Sequence, residues 1–211
     1  PGVTSSGVEN PQKLIDVTKT ALVENGYDLT TTLVSGPSST EITQRLRSSL
    51  EEKRHYLQFD AGSETNSVYT EAGTTYIKST QDGDTSFSKQ ATTITFQEQH
   101  ASADIVSMLG GGETLGGILR LGQYTPEGTA VYNGRQVLEC TFDGINESKI
   151  DGTVSTSSGD LLVAPTGVVF DAALGMMYAT NGTSRTYQNK FTLNTLGSVH
   201  VPRPAWVDEQ F

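Results

Sequence analysis

Apolar and polar side chains alternate through most of the stretch from Tyr27 to Phe96. Tyr27, Leu29, Thr31 and Leu33 share one side of a two-residue period, as do Ile42, Gln44, Leu46, Ser48 and Leu50, then Leu57 and Phe59, then Ile94 and Phe96. Successive side chains of a strand point to opposite faces, so each set marks a buried face and leaves Thr, Ser, Gln, Lys and Glu for solvent. The predicted strands are Tyr27–Ser35, Glu41–Leu50, Arg54–Asp60, Ser67–Glu71, Thr75–Thr80, Thr85–Gln90 and Thr92–Gln97. Between them stand Ser35-Gly36-Pro37-Ser38, Ala61-Gly62-Ser63, Ala72-Gly73 and Gln81-Asp82-Gly83-Asp84, residues that break strands or supply turn dihedrals. The spacing predicts consecutive antiparallel hairpins. A sheet this long with one apolar face must curl around something apolar.

A helical period appears in two places. Asn10-Pro11 is a helix start, Asn25-Gly26 a stop, and Leu14, Ile15, Thr18, Ala21 and Leu22 form one stripe, which predicts a helix over about 11–25. Between Ala101 and Gln123 the strand pattern lapses. Ile105, Val106, Met108 and Leu109 precede Gly110-Gly111-Gly112, and Leu115, Ile118, Leu119 and Leu121 follow, which predicts short helices over about 102–121 hinged at the glycines. Two readings stand for them: core packing on the sheet, or a movable lid over a cavity. The glycine spacing fits neither a phosphate loop nor a dinucleotide fingerprint.

Strands then resume at Thr129–Tyr132 and Gln136–Phe142, joined by Asn133-Gly134, a dipeptide suited to the type I′ turn. Further strands are predicted at Lys149–Ser155, Asp160–Ala164, Val168–Ala172, Met176–Thr180 and Thr186–Leu196. The end, Val199–Val201 with Pro202, Pro204 and Trp206, is expected to form an edge strand plugging one end. The whole chain, 1–211, is expected to be one domain of the α+β class, mainly antiparallel β.

Composition narrows the function. With 18% charged residues, a net charge of −10 and scattered lysines and arginines, the chain has no basic patch for nucleic acid. The single cysteine, Cys140, shares a face with Leu138 and Phe142 and is expected to be buried. No run is apolar and long enough to span a bilayer. The chain opens at Pro1-Gly2 without Met or leader and is expected to be a mature or trimmed form.

Chemistry is sparse. His55, His100 and His200 are far apart, no zinc-protease or nucleophile-elbow motif is present, and Glu51-Glu52 and Asp82-Gly83-Asp84 read as a strand end and a turn. No catalytic residue, metal ligand or cofactor is expected, and the chain is not expected to be an enzyme. Asn146-Glu147-Ser148 and Asn181-Gly182-Thr183 fit the N-glycosylation pattern in turns, which suits an extracytoplasmic address.

The opening Pro1-Gly2-Val3, Gly7-Val8 and Leu14, the Tyr27 strand, the Gly73-Thr74-Thr75-Tyr76 hairpin, the mid-chain helices and the closing Val201-Pro202 and Pro204-Ala205-Trp206-Val207 resemble haloarchaeal surface lipoproteins of the LolA-like superfamily. The resemblance implies an unclosed, half β-barrel around a few short helices, with an apolar cavity that in relatives carries lipid or lipidated protein. It also implies a lipid-modified cysteine upstream of Pro1, anchoring the protein to the membrane at the cell surface. The arginine that fastens the lid of the bacterial carrier has no counterpart here.

The expected function is therefore a lipid-binding, carrier-like protein. Its cavity would be lined by Leu29, Leu33, Leu46, Leu57, Phe59, Ile94, Phe96, Leu115, Ile118 and Leu119. The alternative is a surface interaction module in which these residues fill the core and the exterior engages a protein, around Trp206 and Phe211.

Overall fold

The computed structural model describes residues 3–4, 7–36, 40–101 and 115–211. In chain order these form β1 (Val3–Thr4), β2 (Gly7–Val8), α1 (Pro11–Glu24), β3 (Gly26–Gly36), β4 (Glu41–Ser49), β5 (Arg54–Ala61), β6 (Glu64–Glu71), β7 (Thr74–Gln81), β8 (Asp84–Ala91) and α2 (Phe96–His100). There follow α3 (Leu115–Leu121), β9 (Gly122–Tyr132), β10 (Arg135–Ile145), a 3-10 turn (Glu147–Lys149), β11 (Thr153–Val163), β12 (Val169–Thr180), β13 (Thr183–Gly197) and α4 (Ala205–Gln210).

Strands β3 to β13 make one antiparallel sheet of 11 strands in the order β8-β7-β6-β5-β4-β3-β13-β12-β11-β10-β9. Two meanders, β3–β8 and β9–β13, are sewn together where β13 pairs with β3 from Gly197↔Gly26 to Thr186↔Gly36. The sheet does not close: β8 and β9 are its edges. This is an unclosed β-barrel with short helices.

Helix α1 begins as its sequence dictates. The Asn10 carboxamide accepts from the Lys13 amide at 3.0 Å, and Pro11 occupies the first turn. Its stripe Leu14, Ile15, Thr18 and Leu22 is buried, and the Thr18 hydroxyl accepts from the Val169 amide at 3.0 Å, tying the helix to β12. Leu115, Ile118 and Leu119 of α3 join it, and both helices share one core with Leu29, Leu46, Phe191 and Leu193. The helix-bearing side is the inner face of the sheet. Cys140 is buried in the same core.

Several expectations are corrected. Thr92–Gln97 is not a strand. The Thr95 hydroxyl accepts from the Glu98 amide at 3.2 Å while the Glu98 carboxylate accepts from the Thr95 amide at 2.6 Å, a capping box that starts α2. Lys149 belongs to the 3-10 turn, and the segments predicted at Lys149–Ser155 and Asp160–Ala164 share one strand, β11, from Thr153. Val168–Ala172 and Met176–Thr180 are likewise joined in β12. Val199–Val201 is not a strand, and the residues after Pro204 form helix α4. Val201 and Val207 cluster with Tyr69 and Tyr76 on the outer face, where Tyr56, Tyr69 and Tyr76 alternate with Leu57, Val68 and Ile77. Of the predicted mid-chain helices, 115–121 is observed; residues 102–114, with Gly110, Gly111 and Gly112, lie outside the described residues.

Candidate functional site

Strand register places one apolar row across six strands of the inner face. It runs Leu193 (β13), Leu29 (β3), Leu46 (β4), Leu57 (β5), Val68 (β6), Ile77 (β7) and ends at Ser88 (β8). Burial changes along it. Leu193, Leu29 and Leu46 are each 0% exposed beneath α1 and α3, whereas Leu57, Val68 and Ile77 are only partly buried and Ser88 faces solvent. One half of the inner face is therefore packed like a protein interior. The other half keeps apolar side chains, Leu57, Val68 and Ile77, that are only partly buried.

The ten residues expected to line a cavity divide along the same line. Leu29, Leu46, Leu115, Ile118 and Leu119 sit in the filled core, none more than 2% exposed. Leu33 and Leu57 lie partly buried at its border. Phe59 is also partly buried, in the neighbouring row that joins Thr31, Gln44, Phe59 and Asn66. Phe96 belongs to α2, its ring centroid 5.6 Å from that of His100. Ile94 precedes α2 in a turn and is 48% exposed, away from any lining. Val68 and Ile77 did not enter the expected set because in Asn66–Tyr69 and Tyr76–Ser79 each is a lone apolar residue beside a tyrosine. Pairing with Leu57 is what reveals them.

Beside the apolar row runs a polar one: Tyr27, Ser48, His55, Thr70, Thr75 and Gln90. Its first five members are buried. The Ser48 hydroxyl lies 2.6 Å from His100 Nδ1, and His100 Nε2 lies 3.1 Å from the Val23 carbonyl. The Tyr27 hydroxyl donates to the His100 carbonyl at 3.2 Å. Further along, the Thr70 and Thr75 hydroxyls are 3.2 Å apart, and those of Thr75 and Thr92 are 2.7 Å apart. Among the described residues His55 Nδ1 has no hydrogen-bond partner. Burial, reinforced by His100, pushes the His55 imidazole down to about 4. Burial also lowers His100, against the pull of the carbonyls of Val23, Leu22 and Asn25.

A serine paired with a histidine is also the start of a nucleophilic site, so access decides its meaning. Ser48 is 0% exposed and His100 2%, and the second ring nitrogen of His100 is spent on a helix carbonyl. The pair fastens α2 to β4 and to the end of α1.

Two clefts open beside α3. One of about 480 Å³ is bordered by Arg120, Lys149, Asp143 and Asn146; another of about 410 Å³ by Leu121, Ile150, Met176 and Tyr178. Neither touches the row from Leu29 to Ile77. Among the described residues no group of three or more His, Cys, Asp or Glu is placed to hold a metal ion, and no helix is long and apolar enough to cross a membrane. Asn181 is exposed in the β12–β13 turn, while Asn146 is partly buried and its carboxamide accepts from the Ser148 hydroxyl at 2.7 Å.

The sequence matches no protein-family profile, and no curated protein matches it. Among solved structures, the chain is similar to one in the Pseudomonas aeruginosa MucA/MucB complex, at 10% identity over 93% of this chain and 60% of that one, with a TM-score of 0.34. It is similar to MucB crystallised alone at 10% identity, over 93% of this chain and 61% of that one, with a TM-score of 0.32. A DUF1329 family protein from Desulfovibrio piger is similar at 10% identity, over 92% of this chain and 95% of that one, with a TM-score of 0.27. The chain thus spans about 60% of the length of the MucA/MucB chain it matches.

Proposed function

We propose that the chain is an extracytoplasmic binding protein, not an enzyme, whose inner face takes the apolar part of a lipid or of a lipidated protein. The observation that carries the proposal is the graded row: the same line of side chains is sealed at Leu29 and Leu46 and only partly buried at Leu57, Val68 and Ile77. Phe59 and Leu33 extend the partly buried part. Each methylene that leaves water for such a surface contributes about 0.8 kcal/mol, so one long acyl or isoprenoid chain binds usefully on a modest apolar strip. The adjoining row of hydroxyls and imidazoles gives an amphiphile's polar end a place to hydrogen-bond. The uncharged Ser/Thr-rich composition and the glycosylation triplets at Asn146 and Asn181 support an extracytoplasmic address, and a lipid anchor upstream of Pro1 would hold the protein at the membrane.

Native mass spectrometry of protein purified without detergent, followed by organic extraction, tests this reading. The expected result is a stoichiometric lipid, or uptake of one on incubation with a long-chain isoprenoid alcohol. An apo mass under both conditions would overturn it. The second reading, a module with a filled core, is favoured by the sealing of Leu29, Leu46, Leu115, Ile118 and Leu119. It predicts that apo mass.

A further inference from the structure

The two edges of the sheet are treated differently by the chain itself. At the β9 edge, β2 lies close against the strand: a Cβ on Gly7 would sit 2.4 Å from the Tyr124 carbonyl oxygen. Among the described residues, strand β8 at the other edge is paired only with β7, and seven of its eight residues are exposed.

Its turn fixes which of its backbone groups are free. Gln81 pairs with Asp84 across Asp82 (φ 50°) and Gly83 (φ 93°), a two-residue turn with both central residues left-handed. In such a hairpin the flanking pair exchanges both hydrogen bonds, and alternate residues onward do the same. Asp84, Ser86, Ser88 and Gln90 therefore bond to β7, and the continuation is seen where the Thr92 amide donates to the Gly73 carbonyl at 2.8 Å. The N–H and C=O groups of Thr85, Phe87, Lys89 and Ala91 point away from the sheet.

The outer side of this edge has a defined character. The Phe87 ring stands 6.1 Å from that of Trp206, and Lys89 lies over the Tyr76 ring at 5.5 Å. Lys78 is the cross-strand neighbour of Phe87. Neither lysine is in any ion pair among the described residues, in a protein whose net charge is −10. An aromatic shelf beside unpaired cations complements an apolar residue flanked, two positions away, by a carboxylate. The inner side, with Ser86, Ser88 and Gln90, asks only for small polar residues.

We propose that β8 is a docking edge for an extended polypeptide segment of a partner protein. The segment adds as a twelfth strand and presents an apolar side chain to Phe87 and an acidic one to Lys89. Main-chain hydrogen bonds supply the attachment, and the outward face supplies the selectivity. The polar composition of β8 keeps this open edge from self-association.

The probe is the blocked peptide Thr-Glu-Thr-Val-Thr-Glu-Thr, which reads the same in both directions and so needs no assumption about strand polarity; its twin carries Lys for Glu. Amide hydrogen exchange is followed by NMR on the full chain. The expected result is slowed exchange at Thr85, Phe87, Lys89 and Ala91 with no change at Ser86, Ser88 and Gln90, and at least roughly fivefold weaker binding of the Lys twin. Thr85→Pro removes an outward N–H and spares the backbone bonds to β7, losing on that side only the 3.0 Å contact between the Thr85 and Thr80 hydroxyls, and is expected to abolish binding. Should that variant fold poorly, Lys78→Glu with Lys89→Glu is expected to reverse the preference between the two peptides. No alternating protection, equal binding of both peptides, or the same protection from self-association without peptide would each overturn the proposal.

Discussion

The Ser48 hydroxyl and His100 Nδ1, separated in sequence by the whole β5–β8 meander, stand 2.6 Å apart in the interior. With the His100 Nε2 contact to the Val23 carbonyl and the Tyr27 hydroxyl donating to the His100 carbonyl, they fasten α2 over the polar row. His55 sits next to Ser48 in the same row, buried, with Nδ1 unpartnered among the described residues. Burial disfavours a charge on either imidazole.

Acid should therefore loosen the fold. His55 is pushed down from 6.5 to about 4 by burial, and His100 is lowered for the same reason. The unfolded chain takes up these protons near pH 6.5, whereas folded His55 resists until about pH 4 and His100 is lowered in the same direction, so stability falls as pH drops below about 6.5. At about 1.4 kcal/mol per pH unit, His55 alone accounts for a loss of up to about 3 kcal/mol. Urea midpoints at pH 7 and 4.5 check this. His55→Gln should remove most of the difference, and an unchanged pH dependence in that variant would assign the loss to His100 or to carboxylates.

Leu29 and Ile77 belong to one row but to opposite ends of its burial gradient. Leu29→Ala should cost about 2–5 kcal/mol in denaturant unfolding, because the packed core cannot collapse into the space. Ile77→Ala should cost about 1 kcal/mol or less, while weakening lipid uptake.

Cys140 is 4% exposed, and burial raises its thiol to about 11. It should be inert toward a disulfide reagent at pH 8 in the native protein and react fully in denaturant. Rapid native labelling would show that β10 opens locally.

Ala72 holds φ 49° ahead of Gly73 (φ 76°) in the β6–β7 turn, a left-handed conformation that a Cβ disfavours. Ala72→Gly should raise stability by up to about 1 kcal/mol, measured by the unfolding midpoint.

Hairpin signals were the legible part of the fold. Asn10-Pro11 placed α1, and Asn133-Gly134, with φ 49° and 75°, made the turn its sequence predicts. The alternation of Tyr27–Leu33 and Ile42–Leu50 located the buried face correctly at Leu29 and Leu46. Thr92–Gln97 misled because Ile94 and Phe96 alternate like a strand, while the capping signal Thr95-x-x-Glu98 competed in the same residues and won. The C-terminal segment was read from its valines and prolines as a strand, yet tertiary packing on Tyr69 and Tyr76 left Ala205–Gln210 free to be helical. The site was half legible. Periodicity within a strand finds Leu57 and Phe59, but the partly buried continuation through Val68 and Ile77 exists only in the pairing between strands.

The central claim is that a lipid chain lies along the partly buried row rather than in the clefts beside α3 or on the outer face. Photocrosslinking with a diazirine-bearing long-chain alcohol, mapped by peptide mass spectrometry, tests it most directly. The account predicts adducts within β5, β6 and β7, on Leu57, Phe59, Val68 and Ile77, and their loss in a Val68→Glu variant that still folds. Adducts confined to Tyr56, Tyr69 and Trp206 on the outer face, or around Leu121 and Met176, would contradict it.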